Sequence, residues 1–221
     1  MDEYKAYLAE FISTFALIFI GAGAILAGSN VLGVGVAHGL VLMAMIYATA
    51  HISGAHVNPA VTIAMMATKN IDIARGSFYI MFQLLGAVFA AFMLSIIFTN
   101  APASLDLGAT KLAEGVDFFQ GTLLEAILTF FLVFTIFGVA VDKKAPQGMY
   151  GLAIGIVLTF DIIVGGALTG ASMNPARSFG PAAVSGFWTD HLVYWVGPVF
   201  GALVAALVYS NVLMEKKEGK K

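Results

Sequence analysis

Six long apolar runs alternate with short polar breaks along this chain, at about 6–28, 34–52, 73–99, 118–141, 149–168 and 191–213. Each is near the roughly 20 residues that an α-helix needs to cross a hydrocarbon core of about 30 Å. Two shorter apolar runs break this rhythm: Pro59 to Thr68 follows the second long run, and Pro175 to Val184 follows the fifth. Each opens on Asn-Pro-Ala. Asn caps a helix well and Pro suits the first helical position, so both predict helix starts. About ten residues make roughly 15 Å of helix, half the core thickness. Neither short helix crosses a bilayer alone. Two of them, from two halves of one chain, would meet at the midplane by their positive N-terminal ends.

The order span, span, half-helix, span occurs twice. Glu10 and Glu125 open the two halves and lie 115 residues apart. Asn58 and Asn174 are 116 apart, and Gly86 and Gly201 are 115 apart. A near-constant offset at three landmarks predicts a duplication. Three spans per half is odd, so the second half enters the membrane from the opposite side. The expected fold is an all-α integral membrane protein with six transmembrane helices, two re-entrant half-helices and an inverted 3+3 repeat. The reading is one channel domain over 1–221. It has a first repeat at about 6–99, an outer connecting loop at about 100–117, a second repeat at about 118–213 and a charged tail at 214–221.

Composition narrows the classes further. The chain is 60% hydrophobic and only 11% charged, against about 25% in soluble domains. It has no cysteine, which excludes thiol catalysis, disulfides and thiolate metal sites. The run Leu8 to Ala27 is longer than a signal-peptide core and reads as a retained span. With a cytoplasmic N-terminus, Lys5, Lys69, Arg75, Lys143, Lys144, Lys216, Lys217, Lys220 and Lys221 fall inside and only Lys111 falls outside. The positive-inside rule therefore puts both termini in the cytoplasm.

Polar groups within hydrocarbon are costly, so each needs an account. Asn58 and Asn174 would face each other across a pore, capping their helices through the side-chain oxygen and leaving the amide donors free. Arg177, on the first turn of the second half-helix, would be pore-facing and satisfied by flanking loop carbonyls and water. His38, near the outer end of the second span, is expected to line the pore at the depth of Arg177. Glu10 and Glu125 are expected to accept hydrogen bonds from the non-helical backbone before each half-helix. His56 is read as structural or as part of the inner vestibule. His51 and His191 are read as interfacial. No histidine pair has metal-ligand spacing, and no metal or cofactor is expected. Asp161 has no evident partner.

The runs His51-Ile52-Ser53-Gly54-Ala55-His56-Val57-Asn58-Pro59-Ala60-Val61-Thr62 and Gly170-Ala171-Ser172-Met173-Asn174-Pro175-Ala176-Arg177-Ser178-Phe179-Gly180-Pro181 resemble the two signatures of the aquaporin (major intrinsic protein) family. The resemblance covers almost the whole chain. It implies a homotetramer with one pore per subunit. In the family's glycerol facilitators the residue after the second Arg is usually Asp; here it is Ser178, followed by Ala182 and the pair Tyr194-Trp195, similar to water-selective members. By motif spacing the constriction falls on His38, Ile162, Ala171 and Arg177. That set departs from orthodox water channels, which usually carry Phe and His at the first two positions. It resembles the plant tonoplast members and related ammonia-permeable channels.

The function expected is a passive channel that conducts water in single file, excludes protons and ions, and also passes ammonia. Two rivals are a facilitator for glycerol or other small neutral solutes, and a proton-coupled transporter using Asp161 or Glu10. No nucleophile–base pair is apparent, so no enzyme is expected and no catalytic residue is named. Nucleic acid is not an expected partner; water, small neutral solutes and the lipid bilayer are. The expected location is the cell membrane, or the vacuolar membrane in a eukaryote.

Overall fold

A computed structural model describes residues 3–146 and 148–215. Eight α-helices follow in order: α1 Glu3–Leu26, α2 Val31–Ser53, α3 Pro59–Ala67, α4 Ile73–Ile97, α5 Phe118–Ile136, α6 Tyr150–Thr169, α7 Pro175–Ser185 and α8 Val193–Val208. α5 and α8 each end in a π-helical turn, Phe137–Val141 and Tyr209–Leu213. With those turns, six helices among the described residues are long and apolar enough to span a membrane. The half-helices α3 and α7 have 9 and 11 residues and are too short to do so. Lys216, Lys217, Lys220 and Lys221 lie outside the described residues. Glu215, at the start of the tail, is ion-paired with Lys144.

Local chemistry sets these limits. Asn30 and Asp72 cap α2 and α4 by accepting from Gly33 and Arg75 backbone N–H groups at 2.9 Å each. Asp117 and Gln120 cap α5 reciprocally. Gly54 and Gly170 end α2 and α6 in the left-handed conformation (φ +92° and +81°), which turns the chain back into the membrane.

The packing is pseudo-twofold. α1 packs on α4 as α5 packs on α8, and α2 packs on α6 across the centre. Each half-helix leaves its own half: α3 packs against α8, and α7 against α4. Without a hydrophobic drive between helices in lipid, close backbone approach must hold the contacts. Glycines supply it at related positions. A Cβ on Gly86 would strike the Phe11 carbonyl and one on Gly201 the Ala126 carbonyl. Gly39 and Gly155 face each other at the α2–α6 crossing, each against the other's carbonyl. The large side chains Leu40, Phe89, Phe131, Phe160 and Phe200 stay exposed on the outer surface of the bundle.

Candidate functional site

Both half-helices begin from a strained loop. Ala55 and Val57 have φ of +50° and +56°, and Ala171 and Met173 have +45° and +53°. Left-handed residues other than Gly cost on the order of 1–3 kcal/mol each, so the surroundings must hold them. One buried carboxylate does so in each half. Glu10 accepts from Ser53 Oγ at 2.6 Å, His56 N at 2.9 Å, Val57 N at 2.7 Å and Gln83 Nε2 at 2.8 Å. Glu125 accepts from Thr169 Oγ1 at 2.7 Å, Ser172 N at 2.9 Å and Met173 N at 2.7 Å. Tyr79 and Tyr194 complete the pattern, donating at 2.8 Å to the Ser53 and Thr169 carbonyls.

The two loops are also bonded to each other. Asn58 Oδ1 accepts from Ala60 N at 2.8 Å, and Asn174 Oδ1 from Ala176 N at 3.0 Å, which caps α3 and α7. Asn58 Nδ2 donates to the Met173 carbonyl at 2.8 Å, and Asn174 Nδ2 donates to the Val57 carbonyl at 2.9 Å. This corrects the expectation of free amide donors. Each NH₂ spends one hydrogen on the opposite loop, because a carbonyl at a left-handed residue must find a donor away from water. One hydrogen per Asn remains.

A cavity of about 650 Å³ runs past this meeting point. Its inner mouth takes in His51, Asp142, Lys143 and Tyr150. Its wall is then mostly apolar, with Leu42, Ile46 and Ala50 from α2 and Ile154 and Leu158 from α6, each one helical turn apart. Asn58 and Asn174 interrupt the apolar wall. His38 and Ile162 are the last members of the α2 and α6 stripes toward the outer side, and Arg177 faces the same end. Ala171 is buried beside Gly165 and is not part of this wall. Pro59, Ala60, Pro175 and Ala176 are buried in the first turns of the half-helices.

Arg177 is only 3% exposed. Its Nη1 donates to the Gly108 carbonyl at 2.7 Å, so a carbonyl of the connecting loop anchors it rather than one flanking α7. Its Nε has no partner among the described residues. His38 Nδ1 is bonded to the Val34 carbonyl at 2.9 Å. Its ring lies over Gly21 of α1, where any side chain would collide with the imidazole. His56 is both a loop residue and a wall residue: its Nδ1 is bonded to Thr62 Oγ1 at 3.2 Å, and its ring meets Tyr79 edge-on. His191 accepts from Trp195 Nε1 at 3.1 Å near the outer surface. Asp161 is buried next to Ile162 but off the cavity wall, and its Oδ2 has no partner among the described residues.

Several residues of this site were not singled out from the sequence for this position. Ser53 and Thr169 are 116 apart, as are Thr62 and Ser178, and Tyr79 and Tyr194 are 115 apart. Extending the repeat offset would have exposed them. Gly21 and Gly108 have no such signal, since they act through space left for a neighbour and through a backbone carbonyl.

Comparisons with known proteins identify the family and the fold. The model of the family described as major intrinsic protein matches residues 1–209. The chain is 43% identical to "Aquaporin TIP4-4" of Zea mays, over 95% of this chain and 87% of that one. It is 44% identical to "Aquaporin TIP4-1" of Arabidopsis thaliana, over 97% and 88%. The X-ray structure of the aquaglyceroporin from Plasmodium falciparum superposes with a TM-score of 0.86 at 24% identity, covering 96% of this chain and 97% of that one, and so shares the fold. The inverted repeat, the paired half-helices and this match over nearly the whole length have one meaning: the chain is an integral membrane protein of the major intrinsic protein family.

Proposed function

We propose that this protein is a passive channel that conducts water in single file, excludes protons and ions, and also passes ammonia. The observation that carries this reading is the reciprocal Asn58–Asn174 pair on the wall of a cavity lined by apolar stripes of α2 and α6. The remaining amide hydrogen of each Asn donates to the oxygen of a passing water. Both lone pairs are then used, so that water turns its two hydrogens outward along the file and cannot accept a relayed proton. The N-termini of α3 and α7 add positive potential there, roughly half a charge each at most. Arg177 adds a full charge at the outer end. The apolar stripes of α2 and α6 offer no competing bonds, so water moves on. His38, Ile162 and Arg177 form the selective constriction, with Ala171 shaping the loop behind it. Glu10, Glu125 and His56 support the two loops.

Two features argue against a proton-coupled transporter. Glu10 is fully buried and bonded to four donors, and Asp161 is off the cavity wall. The proposal includes a homotetramer in the membrane, the vacuolar membrane if the source is eukaryotic. Mass measurement of the detergent-solubilised protein checks the assembly.

The test is light scattering of proteoliposomes under an osmotic gradient. Wild-type vesicles are expected to shrink far faster than empty ones, with a low activation energy. Glycerol entering as fast as water would replace this reading with a solute facilitator. With a pH dye inside, ammonia is expected to alkalinise wild-type vesicles faster than empty ones. The double change His38→Phe with Ile162→His is expected to remove the ammonia flux and keep the water flux. Equal ammonia flux in empty and loaded vesicles would sink the second permeant.

The packing of His38 on Gly21 gives a further expectation. Gly21→Ala places a methyl where the imidazole sits, an overpacking that costs about 1–3 kcal/mol unless the ring moves. The ring's open side is the cavity, so the variant is expected to lower unit water permeability. A variant with wild-type flux and wild-type thermal stability would mean that the ring relaxes elsewhere.

A further inference from the structure

The Glu10 and Glu125 clamps and the two Asn caps correspond between the halves, but the partners of Thr62 do not recur at Ser178. In the first half, Thr62 Oγ1 donates to the Asn58 carbonyl at 3.0 Å and accepts from Gln83 Nε2 at 3.0 Å. Gln83 belongs to α4, the third span of the same half. In the second half, Ser178 stands at the repeat position of Thr62, 116 residues on, and Pro198 at that of Gln83, 115 on. Pro198 has no donor to give.

A different segment fills the vacancy in the pattern. Thr110, in the connecting loop, donates to Ser178 Oγ at 2.7 Å. Ser178 and Ser172 are 2.7 Å apart, Oγ to Oγ. Ser172 spends its single proton on the Asn174 carbonyl at 2.8 Å, so Ser178 must be the donor to Ser172. The three hydroxyls therefore form a one-way chain, from Thr110 to Ser178 to Ser172 to the Asn174 carbonyl. All three residues are buried. Two residues before Thr110 is Gly108, whose carbonyl holds Arg177. The loop itself is closely held: a Cβ on Gly108 would press on Ala22, and the Thr110 methyl packs over Gly170.

We infer that Thr110 and Ser178 are positioning residues for Arg177. The hydroxyl chain fastens the connecting loop to α7 and thereby sets where the Gly108 carbonyl holds the guanidinium at the outer constriction. The inference rests on the water-channel reading and adds to it. Inner and outer ends differ because the inner clamp closes within one half, whereas the outer clamp draws on the loop between the halves. The loop thus becomes part of the selectivity device.

Thr110→Val keeps the shape and removes the donor; Thr110→Ser keeps the donor and removes the methyl. Ser178→Ala breaks the chain from the other side and serves as the second variant if the valine fails to fold. Water and glycerol permeabilities are measured per channel in the same proteoliposomes. Thr110→Val and Ser178→Ala are expected to raise the glycerol-to-water ratio by about fivefold, the factor that one neutral hydrogen bond commands. Thr110→Ser is expected to keep the wild-type ratio. An unchanged ratio in Thr110→Val and Ser178→Ala overturns the inference. So does an equal fall of both fluxes with lowered thermal stability, which marks a purely structural chain. Wild-type vesicles no faster than empty ones would instead overturn the water-channel reading itself.

Discussion

Arg177→Val is expected to open the outer constriction to glycerol and to raise cation and proton leak, while water still passes. Arg177 is 3% exposed and lines the cavity, and its guanidinium is held by one carbonyl. A fixed unit charge about 5 Å from a permeating cation, at an effective dielectric of about 20, opposes it by about 3 kcal/mol. That is about two orders of magnitude in flux, an upper bound, because the helix N-termini at the midplane keep their own barrier. Valine also shortens the side chain and leaves a wider, less polar gap between His38 and Ile162. Arg177→Lys retains the charge but loses the planar fork that reaches both the carbonyl and the permeant. It is expected to keep cations out and to admit more glycerol. Proton leak is read with an internal pH dye, and glycerol entry by light scattering. Wild-type proton, cation and glycerol fluxes in Arg177→Val would reduce Arg177 to an anchor for the connecting loop.

Glu125→Ala is expected to abolish the channel by a different route. It leaves the Ser172 and Met173 N–H groups and the Thr169 hydroxyl without their acceptor inside the protein. Two buried, unsatisfied N–H groups cost roughly 2–6 kcal/mol together. Net stabilities are about 5–15 kcal/mol, and the loop is already strained at Ala171 and Met173. The expected result is a much lower unfolding temperature in detergent and no water flux above empty vesicles. Glu125→Gln keeps one acceptor oxygen and should fall between. Glu10→Ala should be at least as severe, since Glu10 holds four donors where Glu125 holds three. Full stability and flux in both alanine variants would show that the loops hold themselves.

Much of the fold was legible as periodicity. Runs of about 20 apolar residues have one economical solution in lipid, because a helix satisfies its own backbone. The offset of 115–116 residues then set the number of halves, and the odd number of spans set their opposition. Glu10, Glu125, Asn58, Asn174, His38 and Arg177 stood out because a polar group in an apolar run is expensive. The expectation about the Asn amides failed for a reason local sequence does not carry. Their partners, the Val57 and Met173 carbonyls, belong to the opposite loop, more than 100 residues away. Arg177 differs in the same way, since its anchor is the Gly108 backbone rather than a loop beside it.

By itself, then, the sequence determined the spans, the duplication and the polar residues that a membrane would not tolerate without purpose. It did so because burial cost and helix length are properties of the residues in a run. The tertiary structure alone decided which carbonyl each buried donor reaches, which glycine makes room for His38, and how Thr110 replaces the missing partner at Pro198. Those outcomes depend on distances between segments remote in the chain. Backbone carbonyls and the empty side of a glycine leave no mark in the sequence, yet they hold His38 and Arg177 in place.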